Sequence, residues 1–259
     1  MSKNELPSLS MEKILAVIPA YNEESSIETL LKQYDFVFQH NALDLSILVV
    51  NDGSKDNTVG VVQKIKSKIK IDIYDNEKNG GLGKVIRDGL VYACVHLADD
   101  DIVITMDADN SHNPNLIIRM VQQIREGSDI VIASRYRIHA RTYGVSLFRI
   151  FTSLMAAWLF VLFAPIKGVR DYTCGFRAYR VSLLRKGLEH FGNRFIEENG
   201  FSCMAEILLK LKIFNPIYHE IPMILRYDLK KGESKMNIFK TVKNSLILLW
   251  QYRFTSRFK

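Results

Sequence analysis

The stretch Asp101-Ile-Val-Ile-Thr-Met-Asp107-Ala-Asp109-Asn-Ser111-His112 contains the strongest indication of fold and chemistry in this chain. Residues 102–106 are apolar or β-branched, as is typical of a buried strand, and two carboxylates follow at positions i and i+2. Side chains two residues apart on an extended chain share a face. We therefore expect Asp107 and Asp109, and Ser111 if the extension persists, to converge on one Mg²⁺ or Mn²⁺ ion. An isolated Asp-X-Asp is equally compatible with a solvated loop.

The order of apolar segments predicts an α/β fold. Short apolar runs, typical of strands, alternate with helical patterns: runs at 14–18, 47–50, 69–74, 102–106 and 130–133, and helices at 25–34, 58–69, 83–97 and 115–125. Such alternation implies a mostly parallel central sheet with flanking helices and a ligand crevice at the carboxyl ends of the strands. The polar motifs of the first half fall at those ends.

Length, charge and cysteine usage limit the class of protein. The chain has 259 residues, 47% of them hydrophobic, which suffices for one domain with an appendage. Residues 1–130 carry 13 basic and 20 acidic residues, whereas residues 131–259 carry 22 and 8. A basic half favours phosphate, anionic lipid or nucleic acid as a partner, although a solvated surface has the same composition.

The three cysteines are unevenly spaced, which fits a reducing compartment and disfavours a disulfide framework or a zinc cluster. Residues 1–13 are polar and show no secretory signal, so we expect a cytoplasmic protein.

Two segments of the second half suggest contact with a membrane surface. Residues 150–164 are uncharged and mostly apolar, but a bilayer span needs about 20 such residues, so a buried or interfacial helix is expected. The basic tail 238–258 places Phe239, Val242, Leu246 and Leu249 at helical spacing. Helices of this kind lie on membranes or dock on partners; packing against the domain is the alternative.

The polar motifs disfavour the common nucleotide sites and favour a nucleoside-diphosphate pocket. No Gly-x-Gly-x-x-Gly follows the first strand, and Val85 stands where a P-loop needs Ser or Thr. Four other residues join the two aspartates at the strand ends. Tyr21 is an aromatic residue for stacking on a base, and Glu23 and Asp52 are acids that can bind the ribose or the base. Lys84 is a cation that, together with a metal, suits pyrophosphate.

A series of motifs, in order over roughly residues 14–237, resembles the family 2 glycosyltransferases of GT-A fold, and within them the dolichol-phosphate mannosyltransferase and polyprenyl-phosphate branch. The motifs are Pro19-Ala-Tyr21-Asn22-Glu23, Asp52-Gly53-Ser54, Gly81-Leu82-Gly83, Met106-Asp107-Ala-Asp109, Ser111-His112, Ser134-Arg135-Tyr136, Gly175-Phe176-Arg177 and Gly232-Glu233-Ser234-Lys235.

The resemblance implies the following roles for residues. Donor-binding residues are expected at Pro19, Tyr21, Glu23, Val50, Asp52, Lys84, Ala108, Arg226 and Lys235. Metal ligands are expected at Asp107, Asp109 and Ser111, acceptor-phosphate ligands at Arg135, Arg149 and Ser153, and the catalytic set is Asp107, Asp109 and Arg135. The family's arginine shortly before Gly232 is absent at the family spacing, and Arg226, Lys230 or Lys231 are the candidates to replace it.

The resemblance also divides the chain and implies an activity. Residues 1–13 form a polar tail, 14–237 a GT-A catalytic domain with a donor half (14–134) and an acceptor half (135–237), and 238–259 an amphipathic helix. The expected reaction is metal-dependent, inverting transfer of mannose or glucose from GDP-mannose or UDP-glucose to a polyprenyl or dolichyl phosphate. The expected place is the cytosolic membrane face, with a helper subunit or homo-oligomer as possible partners.

The chemistry expected of a phosphate acceptor matches the residues present. A phosphomonoester is anionic at neutral pH and needs no general base, and the sequence offers no clear base: Glu206 is read as structural and His112 as a loop histidine. One alternative is a family 2 enzyme acting on a glycan hydroxyl, which would require a base. The other is a non-enzymatic basic binding protein, although no known nucleic-acid module is recognisable.

Overall fold

The computed structural model describes residues 12–41, 43–230 and 238–258. Within them the strands are β1 (Lys13–Ala20), β2 (Asp44–Asp52), β3 (Lys70–Asn76), β4 (Ile102–Thr105), β5 (Ile130–Ser134), β6 (Arg141–Tyr143), β7 (Arg177–Arg180), β8 (Tyr218–Pro222) and β9 (Ile224–Arg226). The α-helices are α1 (Ile27–His40), α2 (Thr58–Lys64), α3 (Leu82–His96), α4 (Leu116–Arg125), α5 (Leu147–Phe163), α6 (Val181–Phe191), α7 (Cys203–Leu211) and α8 (Ile238–Phe254).

Seven strands form the central sheet in the order β3-β2-β1-β4-β7-β5-β8. All neighbours are parallel except β7, which runs antiparallel to both β4 and β5. Strands β6 and β9 form a separate two-stranded sheet. The predicted α/β fold with a mostly parallel sheet and flanking helices is confirmed.

The hydrophobic pattern explains the layers. All four residues of β4 are buried, as expected for a strand that helices cover on both faces. Helix α4 buries Ile117, Met120, Val121 and Ile124, which lie on one stripe at helical spacing. The core therefore lies on both sides of the central strands, and their carboxyl ends are left for polar residues.

Helix α2 is shorter than predicted, because it ends at Lys64 instead of continuing to residue 69. The Asp35 carboxylate accepts hydrogen bonds from the Ser67 hydroxyl at 2.7 Å and from the backbone N–H of Lys68 at 3.2 Å. A side chain that binds backbone N–H groups competes with the helical hydrogen bonds. The chain therefore leaves the helix at Ile65, which is extended, before it enters β3.

Helices α5 and α8 pack against each other and leave an apolar surface exposed. Helix α5 begins at Leu147, one turn earlier than predicted, after Ser146, whose hydroxyl accepts from the Arg149 N–H. Of the predicted stripe of α8, Leu249 is buried and Leu246 is exposed, whereas the Phe239 side chain lies outside the described residues; Leu248 is buried as well. Among the described helices, none has both the length and the apolar character that crossing a bilayer requires.

Candidate active site

A cavity of about 880 Å³ lies at the carboxyl ends of β1, β2 and β4 and reaches α5 and α8. Its wall contains most of the residues that were singled out in the sequence: Pro19, Tyr21, Glu23, Asp52, Asp107, Ala108, Asp109, Ser111, Arg135, Arg149 and Ser153. The expected donor, metal and acceptor residues thus border one continuous space.

The two aspartates follow β4 directly, but the chain does not stay extended as far as Ser111. Asn110 has a left-handed backbone with φ of 63°, and the turn brings Ser111 back onto Asp109. The Ser111 backbone N–H and hydroxyl donate to Asp109 Oδ1 at 3.0 and 2.5 Å. The condition under which Ser111 was expected to align with the two acids, a chain that stays extended, is therefore not met, although all three residues line the cavity.

The space beside Asp107 is kept open by a glycine. A Cβ atom at Gly175 would stand 3.2 Å from Asp107 Oδ1, and the Gly175 carbonyl accepts a hydrogen bond from the Thr105 hydroxyl at 2.6 Å. Gly175 lies two residues before β7, the antiparallel strand beside β4. The Gly175-Phe176-Arg177 motif therefore helps to shape the acidic site, while Arg177 itself is fully buried and donates to the Tyr172 carbonyl at 2.6 Å.

The electrostatics of the two acids differ. Burial raises the pKa of Asp107, an effect that the positive groups around it offset only in part. Burial acts in the same direction on Asp109, but His112, the Lys230 ammonium and the hydrogen bond from Ser111 outweigh it and hold the pKa of Asp109 at about 2. Asp109 is thus a permanent anion at neutral pH.

Lys230 supplies a cation at the position where a metal is expected. Its Nζ lies 2.7 Å from Asp109 Oδ2, and the two side chains are only 12% and 8% exposed. The described residues contain no group of three or more His, Cys, Asp or Glu side chains placed to hold a metal. Two carboxylates and a serine oxygen do fit Mg²⁺ or Mn²⁺, which takes few protein carboxylates and fills its remaining positions with water and substrate phosphate.

The two arginines expected to bind the acceptor phosphate line the cavity in different environments. Arg135 binds Asp171 through Nε and Nη2, at 2.8 and 2.6 Å. Arg149 donates from Nη1 to the Tyr227 hydroxyl at 2.9 Å, and its guanidinium carbon lies 4.7 Å from the centre of that ring. Ser153, one turn after Arg149 on α5, shares a 2.6 Å hydrogen bond with the hydroxyl of Tyr136.

Asp52, at the end of β2, organises the glycine-rich loop. Its carboxylate accepts from the backbone N–H groups of Gly80 and Gly81 at 2.7 and 3.0 Å. The Gly83 N–H donates to the Asn199 carbonyl at 3.0 Å, which joins the start of α3 to the loop before α7. Asp52 thus shapes this wall of the cavity in addition to lining it.

Three predicted donor residues lie outside the cavity wall, and a fourth lies outside the described residues. Val50 is buried in β2, Lys84 pairs with Asp88 at 2.6 Å, and Arg226 is exposed and bound to a neighbouring carboxylate. Lys235, like the rest of the Gly-Glu-Ser-Lys motif, lies outside the described residues. Of the basic residues considered before that motif, Lys230 is described and lines the cavity wall.

Sequence reasoning missed Tyr136, Asp171, Thr173 and Tyr227 as site residues, all of which hold or surround the two arginines. Only weak signals were available: Asp171 and Thr173 stand at i and i+2 shortly before the Gly175 motif, and Tyr136 follows Arg135 directly. Their contacts join residues 17 to 78 positions apart in sequence, with 36 positions between Asp171 and Arg135.

The structural interpretation of Glu206 agrees with its contacts. Its carboxylate is buried in α7, accepts the backbone N–H groups of Glu197 and Glu198 at 3.0 and 2.9 Å, and pairs with Lys210 and Arg257. His112 lines the cavity, packs 5.4 Å from the Phe176 ring and has no hydrogen-bond partner for Nδ1 among the described residues.

Comparisons with known proteins identify relatives of this chain. A dolichol-phosphate mannosyltransferase from Pyrococcus furiosus is 30% identical over 225 residues, which cover 86% of this chain and 59% of that protein. A polyprenol monophosphomannose synthase from Mycolicibacterium smegmatis is 27% identical over 177 residues, which cover 68% of this chain and 64% of that protein. This chain therefore spans less than two thirds of the length of either relative.

A glucosyl-3-phosphoglycerate synthase from Mycobacterium tuberculosis, solved with Mn²⁺, UDP and glucosyl-3-phosphoglycerate, superposes with a TM-score of 0.67 at 18% identity. The superposition covers 94% of this chain and 81% of that one, and shows that the fold is GT-A. The family model of glycosyl transferase family 2 matches residues 15–188. The chain belongs to glycosyl transferase family 2.

Proposed function

We propose that this enzyme transfers a hexose, mannose or glucose, from a nucleotide sugar to a polyprenyl or dolichyl phosphate, with inversion at the anomeric carbon. The observation that carries the proposal is the single cavity in which the two aspartates and the Arg135, Arg149 and Ser153 cluster are joined. The names of the relatives, a dolichol-phosphate mannosyltransferase and a polyprenol monophosphomannose synthase, support the same acceptor class.

On the donor side, Asp107, Asp109 and Ser111 would hold a divalent ion, and Tyr21, Glu23 and Asp52 border the space for the nucleoside. When bound, such an ion stabilises the negative charge that develops on the leaving diphosphate. Solved structures of the same fold that contain UDP with Mn²⁺ or Mg²⁺ support this choice of ion. Lys230, which already neutralises Asp109, provides a second cation next to the diphosphate position.

On the acceptor side, the arginines would orient a phosphate oxygen toward the anomeric carbon. A lipid phosphate is already anionic at neutral pH, so the reaction requires no group that removes a proton. Arg135, Arg149 and Ser153 supply directed donors, and hydrogen bonds between charged groups are the strong ones. A glycan hydroxyl would instead need a base, and the acid expected to be structural, Glu206, is occupied by Lys210 and Arg257.

The apolar surface of α5 and α8 supports a place on the membrane surface. Large side chains of α5 stand in solvent, including Leu147, Phe151 and Trp158, the last 63% exposed, and α8 adds Trp250 and Phe254. Large side chains exposed next to one another on a protein surface mark interaction sites. Because the same two helices line the cavity with Ile150, Leu154 and Val242, a lipid chain can pass from this surface to the arginines.

The test is a transfer assay with purified protein, Mn²⁺, a panel of radiolabelled GDP- and UDP-hexoses and a short polyprenyl phosphate. We expect one donor to yield a labelled lipid product of inverted anomeric configuration, and Asp109→Asn to abolish it. A product with retained configuration, or transfer that is unaffected by Asp109→Asn, would contradict the proposal.

A further inference from the structure

One edge of the Arg135 guanidinium is hydrogen-bonded within the protein. Its Nε and Nη2 donate to the two oxygens of Asp171, and Nη2 also donates to the Thr173 hydroxyl at 2.7 Å. The hydrogens of Nε and Nη2 are therefore used inside the protein. A guanidinium carries further donors on Nη1, and these remain for a ligand in the cavity that Arg135 lines.

The partner carboxylate is itself fixed. Asp171 is fully buried and accepts the backbone N–H groups of Arg135 and Cys174 at 3.0 and 3.1 Å. Its own N–H donates to the Glu220 carboxylate at 2.7 Å. Burial alone would raise the pKa of Asp171, but the charge and hydrogen bonds of Arg135 hold it below the usual range. The pair is thus an ion pair with little freedom of rotation.

The positive charges of the two arginines are consequently compensated by neighbouring anions to different extents. The Asp171 anion offsets the charge of Arg135, whereas the contacts of Arg149 within the described residues are to Tyr227 and include no carboxylate. Arg149 therefore brings the uncompensated positive charge that attracts a phosphate. Arg135 contributes the two N–H donors of Nη1, whose direction is fixed by the bonds to Asp171.

From this geometry we infer that Asp171 and Thr173 are positioning residues for the acceptor: they hold Arg135 so that only its Nη1 edge meets the acceptor phosphate. The inference rests on the proposed lipid-phosphate acceptor and adds how that phosphate is recognised. Asp171 and Thr173 act through Arg135, so removing either weakens acceptor binding while donor binding is retained.

The experiment measures the dissociation constant of citronellyl phosphate, a short soluble polyprenyl phosphate, and that of the nucleoside diphosphate with Mn²⁺, both by calorimetry. Asp171→Asn keeps the side-chain size but removes the charge and one acceptor. The uncompensated charge then left on Arg135 favours phosphate, but we expect the loss of the charge-assisted hydrogen bond that fixes the direction of Arg135 to outweigh it and to weaken binding of citronellyl phosphate about tenfold. Thr173→Val removes a neutral partner and should weaken it about threefold. The nucleotide affinity should stay the same in both variants.

Two further variants separate positioning from a general structural effect. In an Arg135→Ala background, Asp171→Asn should cause no additional loss of citronellyl phosphate affinity, because residues that act as one unit are not additive. Asp101→Asn is the matched control: Asp101 is a buried acid that accepts backbone N–H groups of Lys13 and Ala98 at 2.7 and 2.8 Å. It should lower thermal stability without changing acceptor affinity.

The inference is overturned if Asp171→Asn weakens citronellyl phosphate binding equally with and without Arg135, or if it weakens nucleotide binding to the same extent. Thr173→Val with unchanged acceptor affinity would also count against it, and this variant is the smaller perturbation should Asp171→Asn fail to fold. A wild-type enzyme that transfers no sugar to polyprenyl phosphate would overturn the proposed function and this inference together. If the wild type transfers sugar to polyprenyl phosphate but the effects of Asp171→Asn and Arg135→Ala on acceptor affinity are additive, only the inference is overturned.

Discussion

Replacing Lys230 by Met should increase the affinity of the nucleotide-free enzyme for Mn²⁺. The Lys230 ammonium lies 2.7 Å from Asp109 Oδ2, and both side chains are largely shielded from water, so a metal that binds Asp109 must displace it. A hydrogen bond between charged groups contributes about 1.5–3 kcal/mol. At about 1.4 kcal/mol per tenfold change in a binding constant, its removal should tighten Mn²⁺ binding about 10- to 150-fold.

The assay is a titration followed by electron paramagnetic resonance of free Mn²⁺, which requires neither donor nor activity. Lys84→Met is the matched control, because Lys84 is paired with Asp88 and lies outside the cavity wall; its Mn²⁺ affinity should equal that of the wild type. Equal or weaker Mn²⁺ binding by Lys230→Met would refute the idea that the lysine and a metal compete for Asp109.

Three other outcomes are expected. Trp158→Glu, on the exposed face of α5, should reduce flotation with anionic liposomes; unchanged flotation would argue against this face as the contact. Gly83→Ala should lower the free energy of unfolding by about 1–3 kcal/mol, since its Cβ would overlap the Glu198 carbonyl, whereas Gly200→Ala meets no atom within 4 Å and serves as control. The folded-state pKa of Asp171 lies below its ordinary value, so its stabilising effect is complete above about pH 4 and is lost at lower pH. The melting temperature of Asp171→Asn should therefore change less than that of the wild type between about pH 5 and about pH 3, and an equal change would contradict the ion pair.

Local patterns in the sequence were sufficient for the βα half of the fold. The buried run before Asp107 and the helical stripe of Ile117, Met120 and Val121 appear as elements in the structure, because burial on two faces or on one stripe is encoded by neighbouring residues. The antiparallel strand β7 was not predicted. It has only four residues and obtains its hydrogen bonds from β4 and β5, which lie far from it in sequence.

The same distinction applies to the site. Asp107 and Asp109 were recognisable because a strand end places both acids, but the bend at Asn110 redirected Ser111 through a left-handed residue that the motif does not reveal. The Lys230–Asp109 pair joins residues 121 positions apart. Contacts of that kind depend on how the chain after β5 folds over the sheet, which periodicity and spacing do not specify.

The most direct test of the central claim compares polyprenyl phosphate with the corresponding polyprenol as acceptors, at equal chain length and with the donor found active. Because the Arg135 and Arg149 cluster is proposed to recognise a phosphate, the sugar should be transferred to the phosphate alone. Comparable transfer to the alcohol would contradict the account.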